Sequence, residues 1–376
     1  MLKMRRVVFP LITMVAALVM ASGVALAVNK VCPSGTTQLD PCKGTAKTNT
    51  SSGNDTLIGT PGTDYIMALS GNDKISAGAG NDTTNGGAGN DTYSYRNGMG
   101  TDTVVDASGI DTLNFSAMSG GIRASLYPGN TSFPANWVND SSFARLVTVS
   151  SNPGNVIEKV VGSANGDDFI QTGEAANILQ PGPGPGGATL IDLGGCDSSN
   201  VGNPPDCGNP PNPPVPASND TYSGFSASGY GVVNISDFGG TADRLLLPFD
   251  STNAYFEASD SDNNGSLDSL LIMSTSTDSV FIFGQLVPYL GRAGHIETIQ
   301  FTDGNFSIGS ASVAVSSTAS TIESGTSQVD ALNAASTLGA AKKEELARAA
   351  KRILSKAQNL PTSPEDMKPP KDTHIR

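Results

Sequence analysis

Seven aspartates stand two residues after a glycine at near-regular steps: Asp55, Asp64, Asp73, Asp82, Asp91, Asp102 and Asp111. The units read Gly53-Asn54-Asp55-Thr56-Leu57, Gly62-Thr63-Asp64-Tyr65-Ile66, Gly71-Asn72-Asp73-Lys74-Ile75, Gly80-Asn81-Asp82-Thr83-Thr84 and Gly89-Asn90-Asp91-Thr92-Tyr93. Gly100-Thr101-Asp102-Thr103-Val104 and Gly109-Ile110-Asp111-Thr112-Leu113 follow after one longer step. A carboxylate is a hard oxygen donor, the ligand type of which calcium takes six to eight. Glycine reaches backbone conformations closed to other residues, so a tight turn there brings carbonyl oxygens inward as well.

Two nine-residue units make one coil of chain with turns on opposite sides. Aspartates eighteen apart then lie above one another: Asp55, Asp73 and Asp91 on one edge, Asp64 and Asp82 on the other. Stacked like charges repel unless a cation lies between them. The residue two places after each aspartate is apolar or aromatic in every unit except the fourth, where it is Thr84. It points inward from a very short strand and stacks on its counterpart in the next coil.

These units resemble the hemolysin-type calcium-binding repeat of RTX proteins, Gly-Gly-x-Gly-x-Asp-x-hydrophobic-x. Gly86-Gly87-Ala88-Gly89-Asn90-Asp91-Thr92-Tyr93-Ser94 is a full copy, whereas the first unit has Thr50 and Ser51 for the leading glycines and the third Ala68 and Leu69. The resemblance implies an all-β fold: a parallel β-roll over residues 51–114, with Ca2+ between neighbouring turns. It further implies a degenerate second repeat block over 159–199, where Asp168 is the candidate ligand and Asn177 replaces an aspartate. A β domain of the kind that follows such repeats is expected over 218–309.

That domain contains a second calcium motif. Asp260-Ser261-Asp262-Asn263-Asn264-Gly265-Ser266-Leu267-Asp268 fits an Asp-x-Asx-x-Asx-Gly loop in which Asp260, Asp262, Asn264 and Asp268 supply oxygens. Leu271 stands where an EF-hand has its bidentate glutamate, and the flanks read as strands, so a β-hairpin loop is expected.

Composition agrees with a fold that leans on cations. The chain has 376 residues, 43 of them glycine, only 6% aromatic, and a net charge of −13. Between residues 51 and 323 there are 28 acidic against 7 basic side chains, a balance of −21. Such a surface repels nucleic acid, whose phosphates need Lys and Arg. Calcium ions are the expected partner, with a cell-surface or matrix polymer as a further one.

Around the repeats, residues 1–27 read as a signal peptide: Lys3, Arg5 and Arg6, an apolar run, and Ala25-Leu26-Ala27. Export follows, to a secreted or extracellular location that includes the cell surface, with a mature chain that does not span the membrane. Cysteines come in two close pairs, Cys32 with Cys42 in the segment 28–50 and Cys196 with Cys207, and an oxidising destination favours two local disulfides. Residues 115–158 read as a β bridge, 200–217 as a proline-rich linker and 310–328 as a Ser/Thr linker. A basic helix is expected over 329–360, before a disordered tail over 361–376. Its basic face suits an acidic polymer, this chain's own acidic face or membrane lipid.

His295 and His374 are the only histidines, and neither His-Glu-x-x-His nor Gly-x-Ser-x-Gly occurs. The chain is therefore expected to bind calcium in a structural, surface or adhesive role rather than to catalyse. The alternative is a calcium-stabilised enzyme acting on extracellular polysaccharide, with a carboxylate pair among its many acidic residues.

Overall fold

The computed structural model describes residues 29–44, 53–126, 136–141, 144–149, 157–172, 176–192, 219–237, 242–260, 267, 269–283, 285–286, 296–309, 312–314, 329–330, 333–334 and 336–357. The signal segment, Cys196, Cys207 and the proline-rich run 200–217 lie outside them. The chain divides into two compact units, the first ending at Leu113 and the second running over 114–151 and from Ile157 onward.

In the first unit, nine-residue steps alternate between two parallel sheets. The strands are β1 (Asn29–Val31), β2 (Cys42–Lys43), β3 (Thr56–Ile58), β4 (Tyr65–Met67), β5 (Lys74–Ser76), β6 (Thr83–Asn85), β7 (Thr92–Arg96) and β8 (Asp102–Val105). Strand β9 (Thr112–Ala117) begins at its end. One sheet takes β1, β3, β5 and β7 in that order, and the other β2, β4, β6 and β8. The register is one coil per eighteen residues, as in Thr56↔Lys74 and Tyr65↔Thr83.

Each rung contributes at least one inward side chain, and β7 contributes two, Tyr93 and Tyr95. Leu57, Ile66, Ile75, Thr84, Tyr93, Val104 and Leu113 are all buried, including the polar Thr84. Burying a Leu or Ile is worth about 1.5–3 kcal/mol, so one or two such residues per rung make a thin core. The eleven-residue step before Gly100 is absorbed without breaking the ladder, because β6 still pairs with β8 at Thr83↔Thr103. Below the roll, the expected disulfide joins Cys32 and Cys42, with Cα atoms 5.5 Å apart.

The second unit contains β10 (Ile122–Leu126), β11 (Asn136–Asp140), β12 (Arg145–Val149), β13 (Lys159–Val161), β14 (Asp168–Thr172), β15 (Ile178–Gln180) and β16 (Ala188–Asp192). It continues with β17 (Thr221–Tyr222), β18 (Val232–Asp237), β19 (Arg244–Leu246), β20 (Tyr255–Ser259), β21 (Ser269–Met273), β22 (Ser279–Ile282), β23 (Thr298–Phe301), β24 (Gly304–Gly309) and β25 (Ser312–Ala314). Here too the chain winds through two parallel rows, β13-β15-β17-β19-β23 and β10-β14-β16-β18-β22.

Antiparallel hairpins are grafted onto those rows. Strands β11 and β12 extend from β10, β21 and β20 from β22, and β24 and β25 from β23. The interruption over 115–158 therefore supplies a rung of the second row, β10. The strands on either side of the proline-rich run are direct neighbours, β15 with β17 and β16 with β18. Within the stretch read as a Ser/Thr linker lies β25.

Within the expected helical span lies α1 (Ala340–Ala357), and residues 329–330 and 333–334 are helical as well. Leu346, Ala349 and Ala350 pack on Tyr255, Leu271, Met273 and Phe281, covering one face of the β20–β22 hairpin sheet. Its apolar stripe is thus occupied by the protein itself. Lys342 and Arg348 pair with Glu345 and Glu344 on the helix surface. No described helix is long and apolar enough to cross a membrane.

Candidate metal centre

The sites grow out of how one coil meets the next. On the first edge, Asp55 N–H donates to Asp73 Oδ1 (2.6 Å), Asp73 N–H to Asp91 Oδ1 (2.7 Å) and Asp91 N–H to Asp111 Oδ1 (2.8 Å). On the second edge, Asp64 N–H donates to Asp82 Oδ1 (2.8 Å) and Asp82 N–H to Asp102 Oδ1 (3.0 Å). Each carboxylate is thereby held in a column by the aspartate one coil earlier. Such charge-assisted bonds are stronger than neutral ones.

The other oxygen of each carboxylate has a different fate. Oδ2 of Asp73, Asp82, Asp91 and Asp102 is buried and has no hydrogen-bond partner. A buried carboxylate oxygen without a donor costs free energy unless a cation or proton meets it. Burial pushes Asp73 and Asp82 up to about 6 and Asp91 and Asp102 up to about 7, and neighbouring carboxylates add to the shift. Donors made only of oxygen, in closely stacked turns, suit calcium's flexible coordination. The residues present therefore fit the ion that the repeat implies.

The glycines make the close stacking possible. Gly89 has φ +126°, and a Cβ built on it would lie 1.9 Å from Gly71 O; on Gly71 it would lie 1.6 Å from Gly53 O. Gly62, Gly80 and Gly100 hold the same place in their own units. Asn72, Asn81 and Asn90 form a separate outer ladder, their Oδ1 atoms accepting the N–H of Asn90 (2.9 Å), Thr101 (3.0 Å) and Ile110 (3.0 Å). Their amides thus tie coils together on the exposed side of the turns.

Two aspartates differ from the others. Asp64 is closed off by hydroxyls, its Oδ1 accepting from Thr36 (3.0 Å) and its Oδ2 from Thr60 N–H (2.6 Å) and Thr60 Oγ1 (2.9 Å). Thr36, in the disulfide-bearing segment, so takes part in the first complete coil. Asp168, in the second unit, accepts Ile122 N–H (2.8 Å) on Oδ1 and Ser163 N–H (2.7 Å) on Oδ2. Both of its oxygens serve the backbone, which makes it a tie between strands.

The residue-level reading missed Asp106. It occupies the place of the first glycine in the last unit and comes together with Asp91 and Asp111, carboxylate oxygens of the three lying within 4.8 Å of one another. Tyr93, fully buried, donates its hydroxyl to Asp106 Oδ2 and accepts Gly86 N–H (2.7 Å). The clue was available in an aspartate at a position that the pattern assigns to glycine.

Of the hairpin motif, Asp260 is half-buried beyond the end of β20, whereas Asp262, Asn264 and Asp268 lie outside the described residues. The flanks are strands, as expected, with Ser259 facing Ser269 across the antiparallel pair.

Comparison with known families agrees with this geometry. The family described as RTX calcium-binding nonapeptide repeat (4 copies) matches residues 49–83 and 58–93, the stretch that carries the first five stacked aspartates. No curated protein matches the chain. The repeats have a calcium-binding role, and the parallel rungs, aspartate columns and glycine turns agree in marking residues 49–93 as RTX-type calcium-binding repeats.

Proposed function

We propose that this is a secreted, calcium-dependent structural or adhesive protein whose roll is completed by Ca2+. The observation that carries the reading is the set of buried Oδ2 atoms of Asp73, Asp82, Asp91 and Asp102, which face no donor. Those carboxylates, with backbone carbonyls of the glycine turns, would hold the ions. Bound calcium neutralises the stacked charges and links one coil to the next. The ligand set must assemble from successive coils, so binding free energy becomes folding free energy.

A binding role suits these aspartates better than catalysis. They are at most 2% exposed, out of reach of a polymer substrate, and each is engaged by the backbone of a neighbouring coil. Secretion is supported by the Cys32–Cys42 disulfide, since such bonds persist in oxidising compartments where calcium is also abundant. A role at a surface or in a matrix follows from that location together with the acidic body.

Circular dichroism of the full chain during a calcium titration tests the central claim. A cooperative gain of β signal is expected at roughly 10⁻⁴–10⁻³ M, the range of extracellular calcium modules. A spectrum indifferent to calcium would sink the proposal. Recovery of the chain from culture medium, processed after Ala27, tests the location.

A further inference from the structure

We infer that Asp220, Asp237 and Asp243, far outside the matched repeats, form a separate calcium site in the second unit. Calcium as its ion rests on the reading of the first roll; the site itself rests on its own geometry. Asn219-Asp220-Thr221-Tyr222 repeats Asn90-Asp91-Thr92-Tyr93 letter for letter. The structure extends that likeness to contacts that sequence alone does not specify.

Asp220 N–H donates to Asp243 Oδ1 at 2.6 Å, as Asp91 N–H does to Asp111 Oδ1 at 2.8 Å. Tyr222 donates its hydroxyl to Asp237 Oδ2 at 3.0 Å, as Tyr93 does to Asp106 Oδ2. Carboxylate oxygens of Asp220, Asp237 and Asp243 lie within 4.8 Å of one another. The three residues are 1%, 6% and 0% exposed. Three carboxylates this close and this dry repel one another strongly in the absence of a counter-charge.

An independent observation points to the missing ion. Asp243 Oδ2 is buried and has no hydrogen-bond donor. Its neighbour in the next rung, Glu297, accepts Asp243 N–H at 2.6 Å and adds a further negative charge. Asp192 stands level with Asp237 across the parallel pair β16–β18. The donors are all oxygens and the nearby charges all acidic, which fits calcium and gives a thiolate- or imidazole-seeking metal nothing to bind.

The test uses the full chain and two double variants, Asp237→Asn/Asp243→Asn and Asp91→Asn/Asp111→Asn. Asparagine keeps an oxygen to accept the ladder N–H, as Asn81 does for Thr101 in the first unit. Calcium is counted by equilibrium dialysis, and terbium serves as a luminescent substitute excited through tyrosine. We expect the Asp237/Asp243 variant to lose one bound ion while the first unit keeps its own. An unchanged ion count in that variant, with a loss in the Asp91/Asp111 variant, overturns this site and leaves the roll reading intact. Losses in neither variant overturn both.

A milder change covers failure of the double variant to fold. Tyr222→Phe keeps every carboxylate but removes the phenol hydroxyl beside the site, and with it the tyrosine absorption that excites a bound terbium. It should retain the ion count and lose the tyrosine-excited terbium emission of this site. Undiminished emission from Tyr222→Phe would also overturn the assignment.

Discussion

The two units hold their rungs together by the same bond but fill it differently. In the first unit the column is all aspartate, Asp55, Asp73, Asp91 and Asp111, spaced by one coil. In the second, Asn177 N–H donates to Asp220, Asp220 N–H to Asp243 and Asp243 N–H to Glu297, each at 2.6 Å. The ladder therefore needs only an acceptor at the right height, and Asp or Glu can serve. What separates the two kinds of aspartate is the second oxygen. At Asp73 it faces no donor, whereas at Asp168 the backbone has already taken it.

Calcium removal should break the comparison most visibly. The first unit has a thin core of one or two inward residues per rung, while the second adds a hairpin sheet capped by α1. Limited proteolysis in chelator is expected to cut residues 53–113 well before the region around Tyr255–Phe281. Simultaneous cleavage of both would show that the units depend on calcium equally.

Replacement of single aspartates sharpens it. Asp73→Ala should lower calcium affinity with a modest effect on the chelated protein. Asp168→Ala should leave the ion count intact yet cost about 1.5–3 kcal/mol, the value of a hydrogen bond to a charged group. Calorimetric titration and thermal melts of both variants decide it, and exchanged phenotypes would refute the role of the second oxygen.

Acidity gives a smaller effect of defined sign. Asp73 and Asp82 are raised from the ordinary 3.8 to about 6, and Asp91 and Asp102 to about 7. A carboxyl whose pKa is higher folded than unfolded binds protons more tightly when folded. Its contribution to stability is fully present below about 4 and is lost as pH rises through about 6 to 7. The chelated protein should thus melt higher at pH 4.5 than at pH 8, while calcium affinity falls with acidification because protons compete for the same oxygens. A melting temperature of the chelated form that rises with pH over this window would contradict the burial argument.

The smallest expected change is Tyr93→Phe. It removes the hydroxyl that bridges Gly86 N–H and Asp106, at a cost of about 0.5–1.5 kcal/mol. A denaturant melt in saturating calcium measures it.

How far the residues alone could reveal this arrangement depended on spacing. The first roll is written at a near-constant step, so Asp55, Asp73 and Asp91 could be assigned to one edge and Asp64 and Asp82 to the other from their numbers. The second column carries the same bonds across 43, 23 and 54 residues. Insertions of that size cost little in loop closure, since the entropy grows only with the logarithm of length, yet they erase the period. Residues 218–309 therefore read as a following β domain, while β17, β18, β19, β22 and β23 wind as further parallel rungs. Asp106 and Asp237 were hidden for another reason. Each is chosen by the reach of a tyrosine 13 or 15 residues earlier in the chain, a distance set by side-chain length and not by strand register.

The aspartate bonds also have a direction. Asp55 depends on Asp73, Asp73 on Asp91 and Asp91 on Asp111, so each coil borrows its acceptor from one made later. A ribosome delivers the chain in the opposite sense of need. Every newly synthesised coil waits, incomplete, for its successor, and the last coil to appear is the one that lets all the earlier ones close.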